Sequence, residues 1–64
     1  MTRTELTIAL NKMFCNYIQE SDDMATFFEI AINYVEENSE LDLDDDTQYE
    51  EALQIIDDAI VGKY

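Results

Sequence analysis

Carboxylates are the residues with the most chemistry to offer in this chain. Sixteen aspartates and glutamates stand among 64 residues, some as adjacent pairs such as Glu50 with Glu51 and Asp57 with Asp58. Paired carboxylates do acid–base work when one of them is desolvated in a cleft and its pKa is split from its neighbour's. A chain this short has little room for such a cleft. The other groups that catalysis draws on are missing: there is no histidine, no second cysteine, no glycine-rich phosphate loop, no nucleophile elbow and no arginine pair to clamp a phosphate. The expectation is a protein that is not an enzyme and needs no cofactor. Cys15 reads as a small buried hydrophobe with a reduced thiol, since only Lys12 is near enough in sequence to lower its pKa.

The run from Glu40 to Glu51 has the length of a calcium-binding loop and can be tested position by position. Glu40, Asp42, Asp44 and Asp46 fall at the first, third, fifth and seventh positions, and Glu51 at the twelfth. The sixth position, where the loop needs glycine for its sharp turn, is Asp45, and a frame begun at Asp42 ends on Leu53 instead of an acid. No metal site is expected.

Helices must position these acids. Thr2-Arg3-Thr4-Glu5 has capping-box spacing, and Leu6, Ala9, Leu10, Met13, Phe14 and Tyr17 follow at three- and four-residue intervals. Ile8, Cys15 and Ile18 widen that apolar surface, leaving Glu5, Lys12, Asn16 and Gln19 as the polar strip. Ser21-Asp22-Asp23 suits a helix start, with Met24, Phe27, Phe28, Ala31 and Val35 behind it. Thr47-Gln48-Tyr49-Glu50 reads as a second capping box, opening a helix with Tyr49, Ala52, Leu53, Ile56 and Ile60 on one face and Gly62 as its C-terminal cap. Between the last two helices, Leu41 and Leu43 pin an acidic loop to the core. The fold class is all-α, a single three-helix domain with helices over about 3 to 20, 22 to 37 and 47 to 61.

At this size folding buries only about 60% of the surface of the unfolded chain. Disulfide and zinc staples are both missing, so a homodimer is the expected supplement. No signal-peptide pattern and no membrane-length apolar run occurs, which places the protein in the cytoplasm by expectation.

The charge is the most unusual property. Three basic residues, Arg3, Lys12 and Lys63, face the sixteen acids for a net charge of −13, whereas solubility of a small domain needs about 2 to 8. Direct binding to nucleic acid or to an anionic membrane is excluded by that field, and basic partners are favoured. Several acids also stand where a helix prefers cations: Glu20, Glu36, Glu37, Asp57 and Asp58. Eleven acids and no base lie between Glu36 and Asp58: Glu36, Glu37, Glu40, Asp42, Asp44, Asp45, Asp46, Glu50, Glu51, Asp57 and Asp58. Of these, Glu50, Glu51, Asp57 and Asp58 are expected on one face of the third helix, with Gln54.

In size, charge and this acidic stretch the chain resembles the small DNA-mimic inhibitors of bacteriophages and mobile elements, the HU-directed members above all and the anti-restriction and anti-CRISPR mimics less specifically. The resemblance implies that the eleven carboxylates meet the lysines and arginines of a basic bacterial DNA-binding protein and block DNA by occupation. The competing expectation is an interaction adaptor that docks through apolar residues at the margins of the stripes (Ile8, Cys15, Ile18 and Ile55), with the acids supplying only solubility.

Overall fold

Each helix begins at a side chain that satisfies backbone N–H groups left open by the first turn. In a computed structural model, which describes all 64 residues, the helices are α1 (Arg3–Glu20), α2 (Met24–Asn38) and α3 (Asp46–Val61), with no strand. The all-α three-helix reading of the sequence holds.

At α1 the capping box forms as its spacing requires, Thr2 Oγ1 accepting from the Glu5 N–H at 3.2 Å and Glu5 Oε1 accepting from the Thr2 N–H at 3.1 Å. The start of α2 lies two residues later than expected, because Asp23 is the N-cap: its carboxylate accepts from the Thr26 N–H and, at 2.7 Å, from the Thr26 hydroxyl. At α3 the expected Thr47–Glu50 capping box does not form. Asp45 is the cap, and its Oδ1 accepts from both the Thr47 and Gln48 N–H groups, so the helix starts at Asp46. A short carboxylate reaches two N–H groups at once, and an Asp just upstream of a Thr therefore outcompetes it. At the other end of α3, Gly62 takes the left-handed conformation at φ 75° and its N–H bonds to the Asp58 carbonyl. Only glycine adopts that conformation without a Cβ penalty.

Three contacts define how the helices run. Met1 Sδ meets the Tyr34 hydroxyl, and Phe14 and Tyr17 pack on Phe27, so α2 runs antiparallel to α1. Arg3 reaches Glu51 and Asp58 while Asn11 bonds to the Ala59 carbonyl and to Tyr64, so α3 runs parallel to α1. The topology is an up-down-up bundle in which α1 packs most extensively against α3. The 39–45 connection therefore lies at the end of the bundle where α1 begins, α2 finishes and α3 begins.

The core is nine apolar residues: Leu6 and Leu10 of α1, Phe27, Ala31 and Val35 of α2, and Ala52, Ile55, Ile56 and Ala59 of α3. Leu41 and Leu43 pack against it half-buried, which anchors the acidic connection as expected. Thr7 is the one buried polar residue, and its hydroxyl is satisfied by the Arg3 carbonyl at 2.8 Å. Ile55, expected at the margin of its stripe, is 3% exposed and central, because the buried arc of α3 is centred between Ala52, Ile55, Ile56 and Ala59. That shift carries Tyr49 outward to 36% exposure, and Met24, expected on the buried stripe of α2, is 42% exposed. Cys15, expected to be buried, is exposed.

The radius of gyration is 11.0 Å, against about 10.7 Å for a compact 64-residue domain. The accessible surface of 4320 Å² likewise matches the roughly 4,250 Å² of a folded monomer of this mass. One chain reaches ordinary compactness alone. No helix is long and apolar enough to cross a membrane.

Candidate functional site

The sixteen carboxylates divide by whether the fold uses them. Glu5, Asp23 and Asp45 cap helices. Asp42 Oδ1 accepts from the Asp44 N–H at 3.0 Å and so turns the connection, helped by Gln48, which accepts from the Asp42 N–H. Glu51 and Asp58 each stand 3.5 Å from the Arg3 guanidinium, and Gln54 also donates to Asp58.

Of the eleven acids singled out in the sequence, four therefore hold the fold: Asp42, Asp45, Glu51 and Asp58. The other seven, Glu36, Glu37, Glu40, Asp44, Asp46, Glu50 and Asp57, accept no hydrogen bond and form no ion pair with any side chain. All seven are exposed.

The expectation that Glu50, Glu51, Asp57 and Asp58 share one face of α3 is corrected by the packing. Successive residues on a helix are about 100° apart, so within each pair one carboxylate turns toward α1 and the other outward. Glu51 and Asp58 take the side facing Arg3, and the Asp58 side chain is only 19% exposed. Asp46, Glu50 and Asp57 form the outward ridge. Asp58 is thus not an unfavourable charge at a helix end: the cation that compensates it comes from α1, far away in sequence.

Six of the seven free acids concentrate at one end of the bundle. Glu36 and Glu37 occupy the last turns of α2, Glu40 and Asp44 the connection, and Asp46 and Glu50 the first turns of α3. Glu36, Asp42 and Asp44 border a small cleft of about 120 Å³ together with Leu41 and Leu43. Glu37 and Glu40 border a wider depression of about 610 Å³ with Met1, Asn38 and Ser39. Asp57 lies about 10.5 Å further along α3 than Glu50. No base stands in the last turn of any helix. The C-terminal carbonyls of α2 thus add negative potential to Glu36 and Glu37 instead of finding a cation there.

The stretch from Glu40 to Glu51 is not a calcium loop in three dimensions. From Asp46 onward it is helix, and no group of three carboxylates stands where one ion would meet them all. Two carboxyls are held below their ordinary values by hydrogen bonds that favour the charged form. For Glu5 the main cause is the Thr2 N–H and then the Thr2 hydroxyl; for Asp23 it is the Thr26 hydroxyl and then the Thr26 N–H. Both belong to caps and lie outside the free set.

The groove between α1 and α2, lined by Met13, Asn16, Tyr17, Glu20, Phe27 and Ile30, is not visible in residue spacing, because Met13, Tyr17 and Phe27 sit on stripes with the period of a core. Among the residues proposed for apolar docking, Ile18 is 48% exposed and Cys15 is exposed, whereas Ile8 is half-buried and Ile55 is core. Compared with family models, curated proteins and solved structures, the chain finds no match in any of the three.

Proposed function

We infer that this protein acts by binding, as a DNA-mimic inhibitor whose acidic surface occupies the DNA-binding face of a basic bacterial protein such as an HU-type nucleoid protein, or a restriction or CRISPR effector. Ten of the sixteen carboxylates are exposed and unused by the fold, Glu20, Asp22 and Glu29 among them, and the observation that carries the reading is the seven that lie between Glu36 and Asp58. Six of them crowd one end, where α2 already ends in negative potential. Such an arrangement repels itself in the free protein and is relieved by a cationic partner.

The magnitude is appropriate. The net charge of −13 spread over the 32 Å long axis is about one charge per 2.5 Å, and duplex DNA carries about one per 1.7 Å. Each carboxylate is taken to meet a lysine or arginine that otherwise holds a phosphate, and the mechanism is occlusion without turnover. The homodimer expected from chain length forms part of the same proposal, since it lays two acidic surfaces in one particle; sedimentation at twice 7.5 kDa is its test.

Competition tests the function directly. Titrated into a complex of an HU-type protein with labelled duplex, the protein is expected to displace the DNA, with an apparent affinity that falls steeply as salt is raised. Charge reversal of Asp44, Asp46 and Glu50 to lysine is expected to abolish displacement while leaving the helical circular dichroism intact. If saturating protein leaves the DNA affinity of such basic proteins unchanged, the mimic reading is wrong.

A further inference from the structure

The α1–α2 pair has an open side. Asn11 faces α3, and at about 100° per residue Met13 and Glu20 lie on roughly the opposite side of α1. There the two helices leave a groove of about 310 Å³. Phe27 forms its floor, buried and gripped by Phe14 and Tyr17 at ring separations of 5.2 and 5.5 Å. Met13 and Tyr17 form one wall and Ile30, 40% exposed, the other.

One end of this groove is acidic, and a second carboxylate stands beyond the other. Glu20 lines one end. Glu37 follows Ile30 by seven residues, which puts it on the same face of α2 about 10.5 Å further along, where it borders the depression shared with Glu40 and Met1. No lysine or arginine lines either cavity. An apolar trough with one carboxylate at its end and another about two turns beyond its opposite wall is the complement of a helix with an apolar stripe and basic residues toward its ends.

We propose that the α1–α2 groove binds a cationic amphipathic helix of a partner protein, with the partner's apolar stripe on Met13, Tyr17, Phe27 and Ile30 and its basic residues at Glu20 and Glu37. Charge decides the identity of the occupant. A second copy of this chain seated in this groove sets its own Glu20 and Glu37 against the same two carboxylates, and like charges opposite each other disfavour that pairing here, which leaves the proposed homodimer to another face. The groove stands apart from the outward ridge of α3 and shares Glu37 alone with the seven free acids, so its apolar contacts do not rest on occlusion of a DNA-binding face.

The probe is a synthetic Leu/Lys peptide about four turns long with its leucines at i, i+3, i+4 and i+7, compared with a scrambled peptide of the same composition. In an NMR titration at high salt, the amphipathic peptide is expected to shift the amides of Met13, Tyr17 and Ile30 and to bind at least about tenfold more tightly than the scrambled one. Ile30→Lys, at an exposed position, is expected to keep the circular dichroism and lose that preference. Three results overturn the proposal: equal binding of the two peptides, shifts confined to the 36–50 region, or groove shifts that follow protein concentration alone, which would identify the occupant as a second copy.

Discussion

The two sides of α3 carry the same residue types and do opposite things. Glu51 and Asp58 turn toward α1 and are tied to Arg3; Glu50 and Asp57, each one position earlier, turn outward and make no hydrogen bond or ion pair. A rotation of about 100° separates a carboxylate that holds two helices together from one that only adds to the external field. Counting acids along the chain therefore overstates the surface available to a partner, and the packing of α1 on α3 decides which acids remain.

The third side of α3, its core face, sets the scale for breaking that comparison and gives the largest expected effect. Ile56→Ala removes a fully buried side chain at about 2–5 kcal/mol, from a total of about 3–10 kcal/mol for a domain of this length. Thermal melting should show a severely destabilised or unfolded chain. An unaltered melting temperature would mean that the bundle does not pack as described.

Asp45 separates structure from charge at a single position. Asp45→Ala removes the α3 cap and should cost about 1 kcal/mol, roughly 4–8 °C of melting temperature in a domain of this size. Asp45→Asn keeps the cap and removes the charge, so it should melt near the parent while lowering the salt dependence of any partner binding. Equal melting temperatures for the two variants would refute the cap.

A smaller effect sharpens the contrast between the two flanks. Arg3→Ala should destabilise by about 0.2–1 kcal/mol, since the pair is half-exposed, and the loss should shrink at high salt. Glu50→Gln should be neutral or slightly stabilising because no hydrogen bond or ion pair is lost and repulsion is relieved. If Glu50→Gln destabilises as much as Arg3→Ala, the division of α3 into a tied flank and a free ridge fails.

The smallest effect is in the acid limb. Glu5 and Asp23 titrate below their ordinary values of 4.5 and 3.8 because their charged forms cap helices. Their contribution to stability is complete above those values and is lost as the pH falls through the depressed ones. Carbon-detected NMR titration of the two carboxyls checks the sign, and a midpoint above the ordinary value for either would contradict the cap geometry.

Much of the fold was legible locally. The capping box at Thr2 and Glu5, the stop at Gly62, and the anchoring of the acidic connection by Leu41 and Leu43 all follow from short-range hydrogen bonding and spacing. The miss at α3 had a local cause too: Thr47 and Glu50 fit the capping box, but Asp45, two residues earlier, reaches both the Thr47 and Gln48 N–H groups and takes the role first. Ile55 and Tyr49 differ from their expected burial because a stripe defined by spacing has no fixed centre until another helix packs on it. Cys15 is exposed for a related reason: α1 is apolar over more of its circumference than its two neighbours cover.

By itself the sequence determined three helices, their order, a single domain's worth of core and a charge of −13, because periodicity, caps and composition act over a few residues or over the whole chain without regard to arrangement. Only the tertiary structure decided which acids are free. Arg3 lies 48 and 55 positions from Glu51 and Asp58, and no local pattern couples residues so far apart. The open groove on α1 and α2 was decided in the same way, by the position of α3 on the opposite side of that pair.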